Sequence, residues 1–234
     1  MTLCIQTYGA LVAGQHTTSA AIVWILKYLA DYPIVQAKLR QEVQTVCAEA
    51  AQKKRLPTAD EVVGSLKKLP YLRAVIEETL RLRQAMIVPR DATRDTELLG
   101  CRIPKGTVVL LVCQGPDPSN LRSVDGKPVH TARQYPGNGS KDMKTFDPER
   151  WLVRKGDGEV EFDGTTYPQL AFGAGVRGCW GRKLADLEME VATAMLVWKF
   201  DILEVPEALA THKATYDISY RANKGYLNVR SRDI

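Results

Sequence analysis

The chain has 234 residues, 45% of them apolar and 25% charged, an ordinary globular composition with enough apolar residues for a core. The formal net charge of +5 is carried in short runs, which gives no support to a nucleic-acid-binding surface. The five cysteines (Cys4, Cys47, Cys101, Cys113 and Cys179) are odd in number, widely spaced and without a C-x-x-C pair, which argues against a disulfide framework or a zinc site and fits a reducing compartment.

Residues Leu3 to Ala30 read as a helix, because apolar residues recur at helical spacing and no proline interrupts before Asp31-Tyr32-Pro33. The stretch Met1 to Gly14 lacks the basic n-region and cleavage site of a signal peptide. A membrane span needs about 18 or more consecutive apolar residues. The longest run here, Ala20 to Leu26, stops at Lys27, so no span is expected. Pro33 opens a second helix through about Ala48. After a lysine-rich connection, Thr58-Ala59-Asp60-Glu61 has the form of a capping box at the start of a short helix. Pro70 to Gln84 is another helix, with Leu72, Val75, Ile76 and Leu80 on one side.

After Pro89 the pattern changes. Thr96 to Cys101 and Gly106 to Cys113 are strand-like and separated by the turn signal Ile103-Pro104-Lys105-Gly106. Val108 to Val112 is continuously apolar and predicts a buried strand. Residues 114–144 are rich in Gly, Pro, Ser and Asn and read as a loop segment on the surface. Lys183 to about Phe200 predicts a long helix, and 202–234 holds short alternating segments such as Tyr226 to Val229. The sequence has no internal repeat and no heptad array. Trp180 and Trp198 are expected in the core, and His130 and His212 look incidental.

The most informative stretch is Phe172-Gly173-Ala174-Gly175-Val176-Arg177-Gly178-Cys179-Trp180-Gly181. Glycines let a backbone fold tightly around something large. A cysteine just ahead of a helix is a thiolate candidate, because the positive helix end favours negative charge. These are the requirements for holding a haem iron by sulfur. Taken alone, such a cysteine is more often a buried turn residue.

Phe172, Gly175, Arg177, Cys179 and Gly181 fill every fixed position of the pattern F-x-x-G-x-R-x-C-x-G, and the stretch thereby resembles the haem-binding loop of cytochrome P-450 monooxygenases. The resemblance implies haem b as cofactor, with Cys179 as the axial thiolate ligand and Arg177 paired with a haem propionate. Phe172 would lie beside the sulfur, and Gly173 and Gly175 would form the tight loop beneath the ring. A thiolate ligand pushes electron density onto iron and favours O–O cleavage.

Three further strings resemble motifs of the same family, in its usual order. Ala13-Gly14-Gln15-His16-Thr17-Thr18 resembles the oxygen-activation helix, which implies room for dioxygen beside Ala13 and Gly14 and a proton-relaying hydroxyl at Thr17. The alternative is a polar stripe on an ordinary helix. Where the family usually has an acid the chain has His16, which can also carry protons. The string Gly14 to Thr17 is similar to that of sterol 14α-demethylases, but the rest of the chain does not follow them and no sterol is assigned. Glu78-Thr79-Leu80-Arg81 and Pro148-Glu149-Arg150-Trp151 resemble the E-x-x-R and P-E-R-F segments, implying a buried ionic network of Glu78, Arg81 and Arg150 with an architectural role. An i, i+3 pair on a helix is otherwise a common surface feature. Arg90, in Val88-Pro89-Arg90, is a candidate for a second propionate contact, or a plain surface arginine.

The expected fold is mainly α with small β-sheets: the C-terminal portion of a single cytochrome P-450 domain over 1–234, from the long central helix onward, with 114–144 as a loop-rich segment within it. The region that the family places before that helix is expected to be missing. The implied activity is O₂-dependent oxidation of a small apolar or lipid-like molecule, with electrons from an NADPH-dependent reductase. Three cations, Arg177, Arg182 and Lys183, and no acid lie between Phe172 and Lys183; with Arg177 facing haem, Arg182 and Lys183 are left to receive an acidic electron donor near Cys179. The resemblance further implies a cytosol-facing protein whose full-length parent is anchored to the endoplasmic reticulum by a segment not encoded here. The alternative is a non-catalytic fragment that binds haem weakly or not at all.

Overall fold

The computed structural model of the chain describes residues 2–111, 142–156, 158–167, 169–217 and 219–233. Cys113, His130 and most of the loop-rich 114–144 segment lie outside the described residues.

The first helix, α1 (Thr2–Asp31), is 30 residues long, about 45 Å at 1.5 Å per residue. Its C-terminal half is core: Trp24, Ile25 and Leu29 are fully buried. Its N-terminal half is open, with Tyr8, Leu11, Ala13 and Gly14 exposed. By length and composition one stretch of it, Thr7–Asp31, is apolar enough to cross a membrane, with mean hydropathy 1.2. A core helix of a globular protein meets the same test, and Trp24, Ile25 and Leu29 of this stretch are fully buried.

Pro33 opens α2 (Pro33–Val46) at a first-turn position, where a missing N–H costs nothing. Two short helices follow, α3 (Ala48–Gln52) and α4 (Ala59–Ser65). The capping box at the start of α4 is formed on both sides: Thr58 Oγ1 accepts from Glu61 N, and a Glu61 carboxylate oxygen accepts from Thr58 N. Helix α5 (Pro70–Leu82) also begins on proline. Its free N-terminal N–H groups on Tyr71 and Leu72 donate to the two carboxylate oxygens of Glu42 in α2, at 2.8 and 2.9 Å. Burial pushes the Glu42 carboxyl up, against the pull of these two N–H groups.

The last helix, α6 (Arg182–Lys199), packs against α1, α2 and α5. Leu39 and Val43 of α2, Leu72 and Val75 of α5, and Met189, Ala194, Val197 and Trp198 of α6 form the shared interior with Ile25 and Leu29. Burying each of the larger side chains contributes roughly 1.5–3 kcal/mol. Polar side chains tie the helix ends to this core. Gln36 donates to Leu29 O and Ile202 O and accepts from Ile202 N, all within 2.9 Å.

Ten strands form five antiparallel pairs among the described residues. β1 (Val88–Asp91) pairs with β4 (Val108–Leu111), and β2 (Thr96–Leu98) with β3 (Cys101–Ile103). β5 (Leu152–Arg154) pairs with β6 (Val160–Phe162), and β7 (Phe200–Leu203) with β10 (Asn228–Ser231). β8 (Ala214–Tyr216) and β9 (Tyr220–Ala222) form a hairpin that packs on α1.

Two sequence expectations change here. The run Thr96 to Cys101 is not one strand but a hairpin bend, because Leu99 (φ 52°) and Gly100 (φ 82°) both take left-handed backbone. The turn at Pro104 to Gly106 instead leads from β3 into β4. The apolar strand β4 is not buried: it pairs only with β1 among the described residues, and Val108 and Leu110 stand 58% and 57% exposed.

Candidate functional site

The Cys179 loop is shaped by its glycines. Gly173 (φ 67°) and Gly175 (φ 66°) both occupy the left-handed region, where any side chain is strained. Cys179 N donates to Phe172 O at 2.7 Å and Gly173 N to Leu170 O at 2.8 Å, closing the loop on itself. A short 3-10 turn, Gly175–Arg177, leads to Gly178, whose N donates to Gly175 O at 3.0 Å. A Cβ at Gly178 would lie 3.2 Å from that same carbonyl, so this position also has little room for a side chain, a constraint not evident from the motif. A Cβ at Gly181 would lie 3.9 Å from Cys179 Sγ. The thiol is free and exposed, three residues before α6. Phe172 is half-buried against the core, with the Arg182 guanidinium 5.1 Å over its ring.

Around the thiol the surface is apolar as well as basic. Val176 is fully exposed, Trp180 is 97% exposed and Leu184 is 60% exposed, beside exposed Arg177 and Lys183. Trp180 is therefore not a core aromatic: it precedes α6 on the open side of the loop, whereas Trp198, near the far end of that helix, is buried as expected. Arg182 is not a free cation, since it pairs with Asp186 at 3.5 Å. Arg90 is half-buried and donates from its guanidinium to Pro89 O at 2.7 Å.

A buried charge cluster joins α5 to the Pro148–Trp151 turn. Glu78 on α5 is fully buried and accepts from Arg81 Nε and Nη2, both at 2.8 Å, and from Arg150 Nε at 2.9 Å. Its two oxygens also accept from Trp151 Nε1 at 2.9 Å and Asp147 N at 3.0 Å. Trp151 and Asp147 were not singled out in the sequence; the only signal was their place beside Pro148-Glu149-Arg150. Arg150, itself fully buried, further donates to the carbonyls of Asp142 and Thr145 at 3.3 and 3.2 Å. Both Glu78 oxygens and all three nitrogens of Arg150 thus meet partners, the condition under which a buried ion pair is tolerated. Next to it Glu77, between α5 and α6, is pushed up to about 7 by burial; Arg182 and Arg73 oppose this and Asp186 adds to it.

On α1, Thr17 Oγ1 donates back to Ala13 O at 2.7 Å, an i−4 bond that competes with the helical ladder. Ser19 Oγ donates to Gln15 O at 2.6 Å and approaches His16 O at 3.3 Å. His16 O also accepts from Ser219 Oγ at the β8–β9 hairpin, at 3.4 Å. Nothing lies within 4 Å of a Cβ built on Gly14, so the Ala13–Gly14 face is open. Among the described residues no hydrogen bond or ion pair joins Thr17 or His16 to the Cys179 loop.

A long helix with an open small-residue face, a glycine-shaped cysteine loop at the head of a second helix, and a buried carboxylate–guanidinium cluster between α5 and the Pro148–Trp151 turn are together the parts of a haem-thiolate type of scaffold. The chain matches the family described as Cytochrome P-450 over residues 2–115 and 141–227, and it belongs to that family. It is 61% identical over 232 residues to cytochrome P-450 monooxygenase xilC of Penicillium rubens, covering 97% of this chain and 40% of that protein. It is 33% identical over 249 residues to cytochrome P-450 monooxygenase TRI13 of Fusarium sporotrichioides, covering 98% of this chain and 42% of that protein. A crystal structure of a cytochrome P-450 superposes with a TM-score of 0.70 at 27% identity, over 97% of this chain and 45% of that one. The chain thus spans less than half the length of these relatives, and its fold is a P-450 fold in part. Family membership implies a haem cofactor. The residues present fit that group: an exposed thiol on a loop that side chains would obstruct, flanked by open apolar surface and by arginine.

Proposed function

We propose that this chain carries the thiolate side and part of the oxygen side of a haem monooxygenase that oxidises a small apolar or lipid-like molecule. The observation that carries the reading is the exposed Cys179 thiol, set by the left-handed glycines Gly173 and Gly175 at the head of α6. Cys179 would be the axial ligand, Phe172 and the loop glycines would lie against the ring, and Arg177 and Arg90 would pair with its carboxylates. When bound, the haem supplies the redox chemistry that reduces and cleaves O₂.

The chain's own residues have narrower tasks. Ala13 and Gly14 keep one face of α1 free of bulk. Thr17 holds a hydroxyl that donates to Ala13 O and would turn from it to donate to a polar atom on that face. His16, half-buried in the same turn, is the candidate to replenish that proton. Glu78, Arg81 and Arg150 brace the segment ahead of the cysteine loop. Electrons would come from an NADPH-dependent reductase with an acidic surface, received at Lys183 while Arg177 faces the haem carboxylates. A cytosol-facing site fits the free thiols Cys4, Cys47, Cys101 and Cys179.

A second reading, a fragment without catalysis of its own, is favoured by the open apolar surface at Val176, Trp180, Leu184, Tyr8 and Leu11. Haem titration of the purified chain beside Cys179→Ser decides between them. Uptake with a thiolate-type ferric spectrum that the Ser variant lacks supports the first reading. Absence of uptake supports the second.

A further inference from the structure

The β8–β9 hairpin is fastened to the helical core through one histidine. His212, just ahead of β8, sets Nε2 2.6 Å from Asp31 Oδ2 at the end of α1 and Nδ1 3.4 Å from Arg83 Nη2 at the end of α5. The imidazole thus bridges the Asp31 carboxylate through Nε2 and the Arg83 guanidinium through Nδ1. Arg83 in turn donates from Nε to Tyr28 OH at 3.1 Å and lies 4.5 Å over the Trp24 ring. The His212 ring itself packs 5.8 Å from Trp24 and 5.5 Å from Tyr28.

The far end of the hairpin leans on the same residues. Trp24 Nε1 donates to Tyr220 O at 3.3 Å, the Tyr220 ring stacks on Trp24, and Tyr220 N donates to Ala85 O at 2.6 Å. Ser219, buried beside it, places Oγ 3.4 Å from the carbonyl of His16, one residue before Thr17. A continuous set of contacts therefore runs from Asp31 through His212, Arg83 and Trp24 to the hairpin tip, and from the tip to the polar turn of α1.

We propose that His212 is a positioning residue: as a bridge between Asp31 and Arg83 it fixes the β8–β9 hairpin so that Ser219 holds the backbone of α1 at His16. That this turn lies on the oxygen side of the site rests on the proposed function; the fastening itself does not.

Amide hydrogen exchange of the chain without haem tests it, with the Tyr220 amide as reporter. His212→Ala should raise exchange at Tyr220 and the neighbouring hairpin amides about tenfold while leaving the α5 core amides unchanged. Asp31→Asn keeps an acceptor for Nε2–H and should preserve protection, whereas Asp31→Ala should lose it. Unchanged exchange at Tyr220 in His212→Ala, an equal rise throughout α5, or loss of protection in Asp31→Asn equal to that in Asp31→Ala would each overturn the assignment. Because this readout needs no haem, a failure of haem uptake would strike the proposed function and leave this result standing.

Discussion

Replacing Glu78 by alanine should be among the costliest single changes in this chain. The carboxylate accepts five hydrogen bonds, two from Arg81 and one each from Arg150, Trp151 Nε1 and Asp147 N. Truncation takes the carboxylate away from fully buried Arg150, whose other partners among the described residues include the carbonyls of Asp142 and Thr145 and the Met143 sulfur. Breaking a buried pair from one side costs about 3–5 kcal/mol. Against a total domain stability of roughly 5–15 kcal/mol, that is a large share. With a urea slope of about 3 kcal/mol per molar, the unfolding midpoint should fall by roughly 1–1.7 M. Glu78→Gln keeps the volume and one acceptor but turns an NH₂ toward donors, so it should fall between wild type and alanine. Denaturation followed by tryptophan fluorescence measures both, since Trp151 is itself a member of the cluster. A loss below about 1 kcal/mol in Glu78→Ala would refute the view that this cluster braces the fold.

Glu77→Gln should act in the opposite direction. A carboxyl held near 7 in the folded chain and near 4.5 when unfolded costs stability that is absent below 4.5 and fully present above about 7. The variant should therefore gain up to about 3 kcal/mol at neutral pH and nothing at pH 4, read as a melting-temperature difference that grows across that interval. Gly173→Ala forces a side chain into left-handed backbone and should cost about 1–2 kcal/mol together with a matching loss of haem affinity. Trp180→Ser should leave folding unchanged and reduce self-association measured by light scattering, because its indole is 97% exposed. Thr17→Ala in a haem-loaded, reductase-supported form should raise peroxide release per electron consumed; unchanged coupling would remove Thr17 from the proton path.

Much of the helical frame was legible in the sequence because its signals are local. Pro33 and Pro70 mark helix starts by what proline cannot do, and Thr58 with Glu61 spells out a capping box three residues wide. The Cys179 loop was legible for the same reason: its constraints fall within ten consecutive residues. Features built from distant residues were not. Arg150 meets Glu78 across 72 positions, and only the family resemblance suggested the pair. The β2–β3 bend was hidden because a leucine, Leu99, takes a conformation normally signalled by Gly or Asn. His212 looked incidental because its two partners, Asp31 and Arg83, lie 181 and 129 residues away. Aromatic character misled at Trp180, since burial depends on what covers a side chain and not on its polarity alone.

The measurement that bears most directly on the central claim is the absorption spectrum of the haem-loaded chain after reduction and exposure to carbon monoxide, with Cys179→Ser as its control. A red-shifted Soret band of the thiolate type, lost in the Ser variant, is the expected result. A spectrum without that band, or one that Cys179→Ser leaves unchanged, would contradict the assignment of Cys179 as the iron ligand.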